Sequence, residues 1–197
     1  MQRAITRADP FRFLFAPVVA TLLFMSVRVS ADALDGVLEV RSAYVDVDQS
    51  VYKLHARIQY PMTAAIRDAL RDGVTLAFDF DVHISRERRF WLDATIVDLT
   101  LRRELTYHAV TDRYVVRDVR NSDQQSFATL EDALEALGTI DDWPVLVEPQ
   151  LADGERYRIK VRAGIRRGRL PASLRALLFW TDDWHRVSEW YSWLLPS

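Results

Sequence analysis

The residue types best suited to chemistry gather near the end of the chain, in the stretch Phe179–Trp193. It contains Asp182, Asp183, His185 and Glu189, whose side chains are common metal ligands. If this stretch were helical, His185 and Glu189 would share one face, and the two aspartates could add oxygen ligands. However, no second histidine lies nearby and no His-Glu-x-x-His motif occurs in the chain. The sequence therefore predicts no metal site here.

The same stretch is rich in tryptophan, which favours packing over catalysis. An aromatic side chain buries on the order of 150–250 Å² in a core or an interface. Such side chains, laid over the body of a domain, would hold down a chain end that would otherwise fray. We predict that they seal the hydrophobic core, with an aromatic ligand-binding patch as the alternative. The tryptophans are Trp180, Trp184, Trp190 and Trp193.

The other histidines, His55, His83 and His108, fall on the polar sides of predicted strands. They could converge on a metal ion only if those strands were neighbours in one sheet, because strand side chains reach only adjacent strands. The chain has no Gly-x-Ser-x-Gly motif, no cysteine, and too few glycines for a phosphate loop. We therefore predict a non-enzymatic protein with no catalytic residues, no metal and no cofactor.

One segment is strongly cationic. From Glu155 to Arg175 the chain carries eight cations and one anion, a local charge of +7. Side chains alternate along a strand, so the first four of these cations lie on one outward face. The planar guanidinium group of arginine can donate two hydrogen bonds to a carboxylate or a phosphate, so this face could bind an acidic partner or anionic lipid headgroups. The alternative is that acids on neighbouring strands pair with them, namely Asp79, Asp81, Asp93 or Asp98. The candidate binding residues are Arg156, Arg158, Arg162, Arg166, Arg167 and Arg169.

Period-two alternation dominates the rest of the chain and predicts antiparallel strands with one face on a core. The clearest strands are 51–60, 74–85 and 156–165, and less regular ones are expected at 37–47, 90–99, 101–110 and 113–119. Two short amphipathic helices are also predicted. One covers 61–73 and ends at Gly73; the other covers 129–138, with Thr129 as its N-cap and Gly138 in a left-handed conformation.

These elements predict a mainly β protein, a single antiparallel β-sandwich of seven to nine strands, immunoglobulin-like in general architecture. A slip of one residue in any strand would expose its apolar set, so the core can be predicted residue by residue. The predicted core contains Leu54, Ile58, Leu76, Phe78, Phe80, Val82, Tyr157, Ile159 and Val161.

Residues 1–31 have the pattern of a secretory signal peptide. Three arginines precede the apolar run Phe13–Val27, and Val29 and Ala31 fit the −3 and −1 positions of a cleavage site. Cleavage after Ala31 would leave 32–197 as a single domain in the periplasm, and Ala33 is the second candidate position for cleavage. The alternative is an uncleaved segment anchored in the inner membrane, although the run is shorter than the roughly 20 residues that span a bilayer.

Charge and cysteine content narrow the range of partners. The net charge is −2, and residues 1–31 contribute four Arg and one Asp, so the remainder carries −5. Because such a domain is mildly acidic, we predict no nucleic-acid partner. Without cysteine, the protein forms no disulfide and no thiol-ligated zinc site.

Four strings resemble an uncharacterised proteobacterial family known as domain of unknown function 4390. They are ELTYHAVTDRYVV from Glu104, QQSFATLEDALEALGTI from Gln124, DWPVL from Asp142 and DWHRVSEWYSW from Asp183. The resemblance extends over about Leu34–Leu194. It implies an exported envelope β protein, and it supplies no activity and no catalytic residues. Genes of this family often neighbour those of an rRNA methyltransferase and of a membrane sensor kinase of the nitrogen-regulation type, which suggests a signalling connection.

These observations predict a non-enzymatic interaction module facing the periplasm, which binds a protein partner in the envelope and is accessory to a membrane sensor kinase. One alternative is a carrier whose sandwich opens around a lipid-like or small apolar ligand, which needs an apolar cavity of roughly 300 Å³ or more. The other is a metal-dependent hydrolase, which needs at least two histidines near a shared point.

Overall fold

The computed structural model describes residues 36–88, 93–152, 154–168 and 185–195. Within these ranges there are ten strands and two α-helices. The strands are β1 (Glu39–Asp48), β2 (Val51–Gln59), β3 (Leu76–Arg86), β4 (Ala94–His108), β5 (Arg113–Asp118), β6 (Gln124–Phe127), β7 (Thr139–Val147), β8 (Tyr157–Arg167), β9 (His185–Val187) and β10 (Tyr191–Leu194). The helices are α1 (Ala64–Arg71) and α2 (Leu130–Gly138), and a short 3₁₀ turn, Glu148–Gln150, follows β7. The prediction of a mainly β protein with two short helices is confirmed.

The predicted signal peptide, residues 1–31, lies outside the described residues. In the part of the chain that is described, neither helix is long and apolar enough to cross a lipid bilayer.

The strands form two open antiparallel sheets. The smaller sheet has the order β1-β2-β7, and the larger has the order β10-β8-β3-β4-β5-β6, with β9 also pairing with β8. Strand β3 is central to the larger sheet, because it pairs along its whole length with β8 on one side and β4 on the other.

The core forms where apolar side chains of the two sheets meet. All nine predicted core residues are buried, each with 8% exposure or less. Residues of both sheets belong to one hydrophobic cluster, in which Phe80 of β3 lies 6.2 Å from Trp143 of β7 between ring centroids. Tyr60 meets Phe78 edge-on at 4.9 Å, and burial raises the pKa of the Tyr60 hydroxyl. The two sheets therefore share a single core.

The strand predictions differ from the structure in number and extent. Strand β4 runs without interruption through Leu99–Leu101, where the sequence predicted two strands, because it keeps its pairing with β3 from Leu105 to Val97. Strands β6, β7, β9 and β10 were not predicted. The structure describes ten strands instead of seven to nine.

Helix α2 has the predicted N-cap and apolar stripe, but the prediction for Gly138 is wrong. The Thr129 hydroxyl accepts a hydrogen bond from the Asp132 amide at 3.1 Å. Gly138 is the last residue of the helix and does not adopt positive φ. A Cβ atom at this position would lie 2.2 Å from the Ile58 carbonyl oxygen. Glycine is needed here because the end of α2 touches the backbone of β2.

The carboxyl end of α2 is bound by an arginine that faces the interior. Arg103 of β4 pairs in register with Phe78, so its side chain lies on the core side of the sheet. Its guanidinium donates to the carbonyl oxygens of Ala136 at 3.1 Å, of Leu137, and of Thr139 at 3.4 Å. Burial lowers the pKa of Arg103, while the helix carboxyl end favours a cation. These hydrogen bonds hold the end of α2 against the larger sheet.

Replacing Gly138 by alanine is expected to destabilise the protein by about 2 kcal/mol, because the new methyl group would overlap the β2 backbone. The measurement is the free energy of unfolding by denaturant titration. Gly164→Ala is the matched control, since its Cβ would meet its nearest neighbour at 3.4 Å, an ordinary contact. Equal stability of both variants and the unmodified protein would show that α2 does not touch β2 as described.

The Arg103→Met change keeps most of the apolar stem but leaves the helix carbonyls without their donor. We expect a loss of about 3 kcal/mol in the free energy of unfolding, since the lost hydrogen bonds come from a charged group. Arg103→Lys keeps the charge but not the several N–H donors of the guanidinium, so its free energy of unfolding should fall by less. A methionine variant as stable as the lysine variant would contradict a role for the charge and its hydrogen bonds.

Candidate interaction surface

The outer face of the larger sheet carries the predicted cations of β8. Alternation directs Arg158, Lys160, Arg162 and Arg166 away from the core, since Ile159, Val161, Ala163 and Ile165 between them are fully buried. Arg156 precedes the strand, and its side chain is 77% exposed. These five cations and Arg102 of β4, together with the acids that they contact in and just after β3, are called the arginine face below.

One of the predicted binding residues, Arg167, does not join this face. Arg167 pairs with Leu76, a core residue, and therefore lies on the opposite side of the sheet from Arg166. Burial lowers the pKa of Arg167. Arg169 lies outside the described residues.

Carboxylates from β3 and its continuation bind the arginines. Asp79 Oδ2 lies 2.8 Å from Arg166 Nε, and Asp79 Oδ1 lies 2.6 Å from Arg102 Nε of β4. Asp81 accepts from Arg162 Nε at 2.9 Å and from Thr100 Oγ1 at 2.8 Å. Two of the four predicted acids, Asp79 and Asp81, therefore pair with the arginines.

The third carboxylate, Glu87, was missed by the sequence analysis. It forms an ion pair with Arg158, and its Oε2 lies 3.8 Å from Arg156 Nε. Glu87 continues the outward series of β3 beyond Asp81, so the alternation already contained the signal. Of the other predicted acids, Asp93 accepts from the Arg88 amide at 3.4 Å and lines a surface pocket together with Arg156 and Arg158. Asp98 lies on the same outer face, opposite His83 and 3.5 Å from its Nδ1.

Arginine contacts control the protonation of Asp79. Partial burial alone would raise the pKa of this carboxyl group, but hydrogen bonds from Arg102 and Arg166 hold the pKa below its ordinary value. Asp79 therefore stays charged throughout the neutral range, and the stability it contributes is lost only as the pH falls through its lowered pKa.

Cations outnumber the acids that bind them. Asp79, Asp81 and Glu87 together contact five guanidiniums, those of Arg102, Arg156, Arg158, Arg162 and Arg166. Lys160, in the middle of the row, adds another positive charge. Within the described part of the chain, these ion pairs hold the guanidiniums in fixed positions. Asp93 and Glu155 lie beside Arg156 and Arg158, so the charge of the whole face is more balanced than the ion pairs alone indicate.

Trp190 lies on this outer face instead of sealing the core. The Arg162 guanidinium carbon lies 4.5 Å from the centroid of the Trp190 ring, and His83 meets the same ring edge-on at 5.1 Å. The indole is 39% exposed. Trp193 differs, because it is partly buried and packs against the core. Trp180 and Trp184 lie outside the described residues.

Two further apolar side chains lie beside the cations. Leu194 of β10 pairs with Arg158, and Val187 of β9 pairs with Gly164, so both point to the outer side. They are 45% and 43% exposed. Because Gly164 has no side chain, a pocket of about 290 Å³ forms among Arg162, Arg166 and Val187 and their neighbours Asp79, Asp81 and His185.

The helical arrangement that would bring His185 and Glu189 together is not found. His185 begins β9, and Glu189 lies in the connection between β9 and β10. Asp182 and Asp183 lie outside the described residues. The helix considered in the sequence analysis is therefore wrong for 185–194, since pairing with β8 extends this segment.

The remaining histidines are divided between the sheets. His55 is on the smaller sheet, stacked on Tyr44 at 4.8 Å and lying 3.3 Å from Asp46 Oδ1. His83 and His108 are on the larger sheet, in β3 and at the end of β4. Among the described residues, no group of three or more His, Asp or Glu side chains could hold a metal ion.

The sequence analysis also missed a Ser-x-x-Lys spacing at Ser50 and Lys53. In serine–lysine catalysis the lysine must be able to accept a proton, which requires a lowered pKa. Here a hydrogen bond to Asp48, 2.6 Å away, raises the pKa of Lys53. Ser50 lies in the turn between β1 and β2. The pair is therefore unsuited to nucleophilic catalysis.

A groove of about 740 Å³ lies between the end of β2 and helix α2. Its apolar lining includes Val37, Tyr60, Met62 and Leu134, and its polar lining includes Arg41 and Glu131. Val37 and Met62 are about half exposed. The groove opens on the surface and is separate from the arginine face.

Comparison with known proteins identifies the family of the chain but does not indicate an activity. No curated protein and no solved structure matches the chain. A family described as a domain of unknown function (DUF4390) matches residues 36–194, a range that includes every strand and helix described above. The chain therefore belongs to the DUF4390 family.

Proposed function

We propose that the protein is a non-enzymatic interaction module of the cell envelope, and that its working surface is the arginine face. It docks an acidic surface of a protein partner. One observation carries this proposal: three carboxylates form ion pairs with five guanidiniums on an exposed face, which holds the cations in fixed orientations.

Sharing of carboxylates supports binding more than stability. Exposed ion pairs contribute little to stability, so the fold gains little from this arrangement. A guanidinium held through Nε keeps donors on its other nitrogens, which suits a second carboxylate. Arg162 and Arg166 are both held in this way, at 2.9 and 2.8 Å.

The location and partner extend the proposal. The module faces the periplasm after export directed by residues 1–31, or is held at the inner membrane by the same segment, and it acts as an accessory to a membrane sensor kinase. Its domain, 32–197, is a β-sandwich of immunoglobulin-like general architecture. The shared core of two antiparallel sheets supports this last point.

A second candidate function is that of a carrier for a lipid-like ligand. The groove lined by Val37, Tyr60, Met62 and Leu134 favours it, since the volume of about 740 Å³ exceeds what a small ligand needs. A carrier should bind a fluorescent fatty acid and lose that binding in Met62→Glu, whereas an interaction module should not bind the probe.

The arginine face can be tested by replacing Arg156, Arg158 and Arg162 with glutamine. If these arginines dock an acidic surface, the triple variant should fold normally and lose capture of envelope partners from crosslinked membranes. The free energy of unfolding should change little, since exposed ion pairs contribute about 0–1 kcal/mol each. Capture by the unmodified protein should also weaken with salt, because the Debye length falls from about 10 Å at 0.1 M to about 3 Å at 1 M.

The matched control changes Arg41, Arg57 and Arg120 to glutamine. Each is exposed and forms an ion pair with one acid away from the arginine face, namely Glu39, Asp141 and Asp118. The control alters net charge equally and should leave capture intact. Capture that survives the first triple replacement and high salt would refute the electrostatic proposal.

A further inference from the structure

An apolar row runs beside the cations of the arginine face. Val187, Trp190 and Leu194 each expose about two-fifths of their surface, and all three lie on the outer side of the larger sheet. They belong to β9, β10 and the connection between them. We call these three residues the apolar row.

The register of β8 brings the apolar row against the cations. Strands β9 and β10 both pair with β8, so the row lies one strand away from Arg158, Lys160 and Arg162. Adjacent strands are about 4.8 Å apart, a distance that long cationic side chains span easily. Trp190 is already in contact with Arg162. An occupant of this surface would therefore meet both kinds of side chain together.

Among the described residues, neither the cations nor the apolar row is fully buried. The interior positions of β8 are fully buried, whereas each member of the apolar row remains partly exposed to water. Tryptophan next to arginine is a combination that protein interfaces favour at their centres, and Val187 and Leu194 add apolar area beside it.

We infer that the arginine face recognises an extended acidic segment that also carries apolar side chains. The acidic side chains meet Arg158, Lys160 and Arg162, and the apolar ones cover Trp190, Leu194 and Val187. This inference rests on the proposed function and names the chemistry of the partner.

The charge pattern favours a protein segment over an anionic bilayer. Asp79, Asp81 and Glu87 lie among the cations, and they would repel a uniform layer of phosphates. The chain as a whole is also acidic, with a net charge of −2. A segment with acids at fixed positions can contact the cations and avoid these carboxylates.

Two synthetic peptides of equal charge separate the contribution of the cations from that of the apolar row. One alternates glutamate with leucine, and the other alternates glutamate with serine. We expect the full chain to bind the leucine peptide about tenfold more tightly, the factor that corresponds to roughly 1.4 kcal/mol. Isothermal titration calorimetry at low and high salt measures both affinities.

Variants then locate the apolar contact. Leu194→Ser and, separately, Val187→Ser should weaken binding of the leucine peptide and leave that of the serine peptide unchanged. Unchanged serine-peptide binding also shows that the arginine face is still folded. Val110→Ser is the control, because Val110 is fully exposed in the turn between β4 and β5.

Each outcome bears on a different proposal. Equal affinity for the two peptides would overturn the inference about the apolar row and leave the proposed function standing. If neither peptide bound at any salt concentration, the proposed function would fail as well. Tighter binding to phosphatidylglycerol vesicles than to either peptide, lost in Leu194→Ser, would overturn the inference in favour of a bilayer.

Discussion

The antiparallel pairing of β3 with β8 is the constraint on which both the core and the candidate surface depend. One register places Phe80 opposite Ala163 on the inner side and, one residue later, Asp81 opposite Arg162 on the outer side. Side chains alternate along a strand, so a slip of one residue would move the cations of β8 into the core. Burying such charges without partners costs several kcal/mol each. The same pairing therefore fixes the packed interior and the charged exterior.

Arginine has different roles on the two sides of this sheet. Arg103 faces inward, where a buried N–H donor without an acceptor would lower the stability of the fold. The carbonyl oxygens at the end of α2 accept hydrogen bonds from its guanidinium. Arg162 and Arg166 face outward, where water can satisfy the donors that Asp81 and Asp79 leave over. A buried guanidinium is thus committed to the fold, whereas a half-exposed one can exchange water for a ligand.

Sequence alone predicted the features that depend on local periodicity. Alternation identified the inward residues of β2, β3 and β8, and helical spacing with a threonine cap identified α2. It missed β7, because Asp142 and Pro144 normally mark a turn. In the structure β7 is an edge strand, where proline is tolerated, and Asp142 adopts a positive φ of 52° beside a shift in register. Likewise β9 and β10 are strands only because they pair with β8, a tertiary contact that has no local signature.

The candidate surface was predictable in part for the same reason. Its cations and two of its acids follow from alternation within β8 and β3, since both strands are long and regular. The position of Trp190 does not, because it lies in the short connection between β9 and β10, and its contact with Arg162 joins residues remote in sequence. A tryptophan-rich end suggested burial, yet Trp190 and Trp193 lie on opposite sides of one sheet edge. Trp193 stabilises the core, and the exposed indole of Trp190 gives the adjacent cations an apolar neighbour. The proposed docking depends on this combination of cations with an exposed aromatic ring.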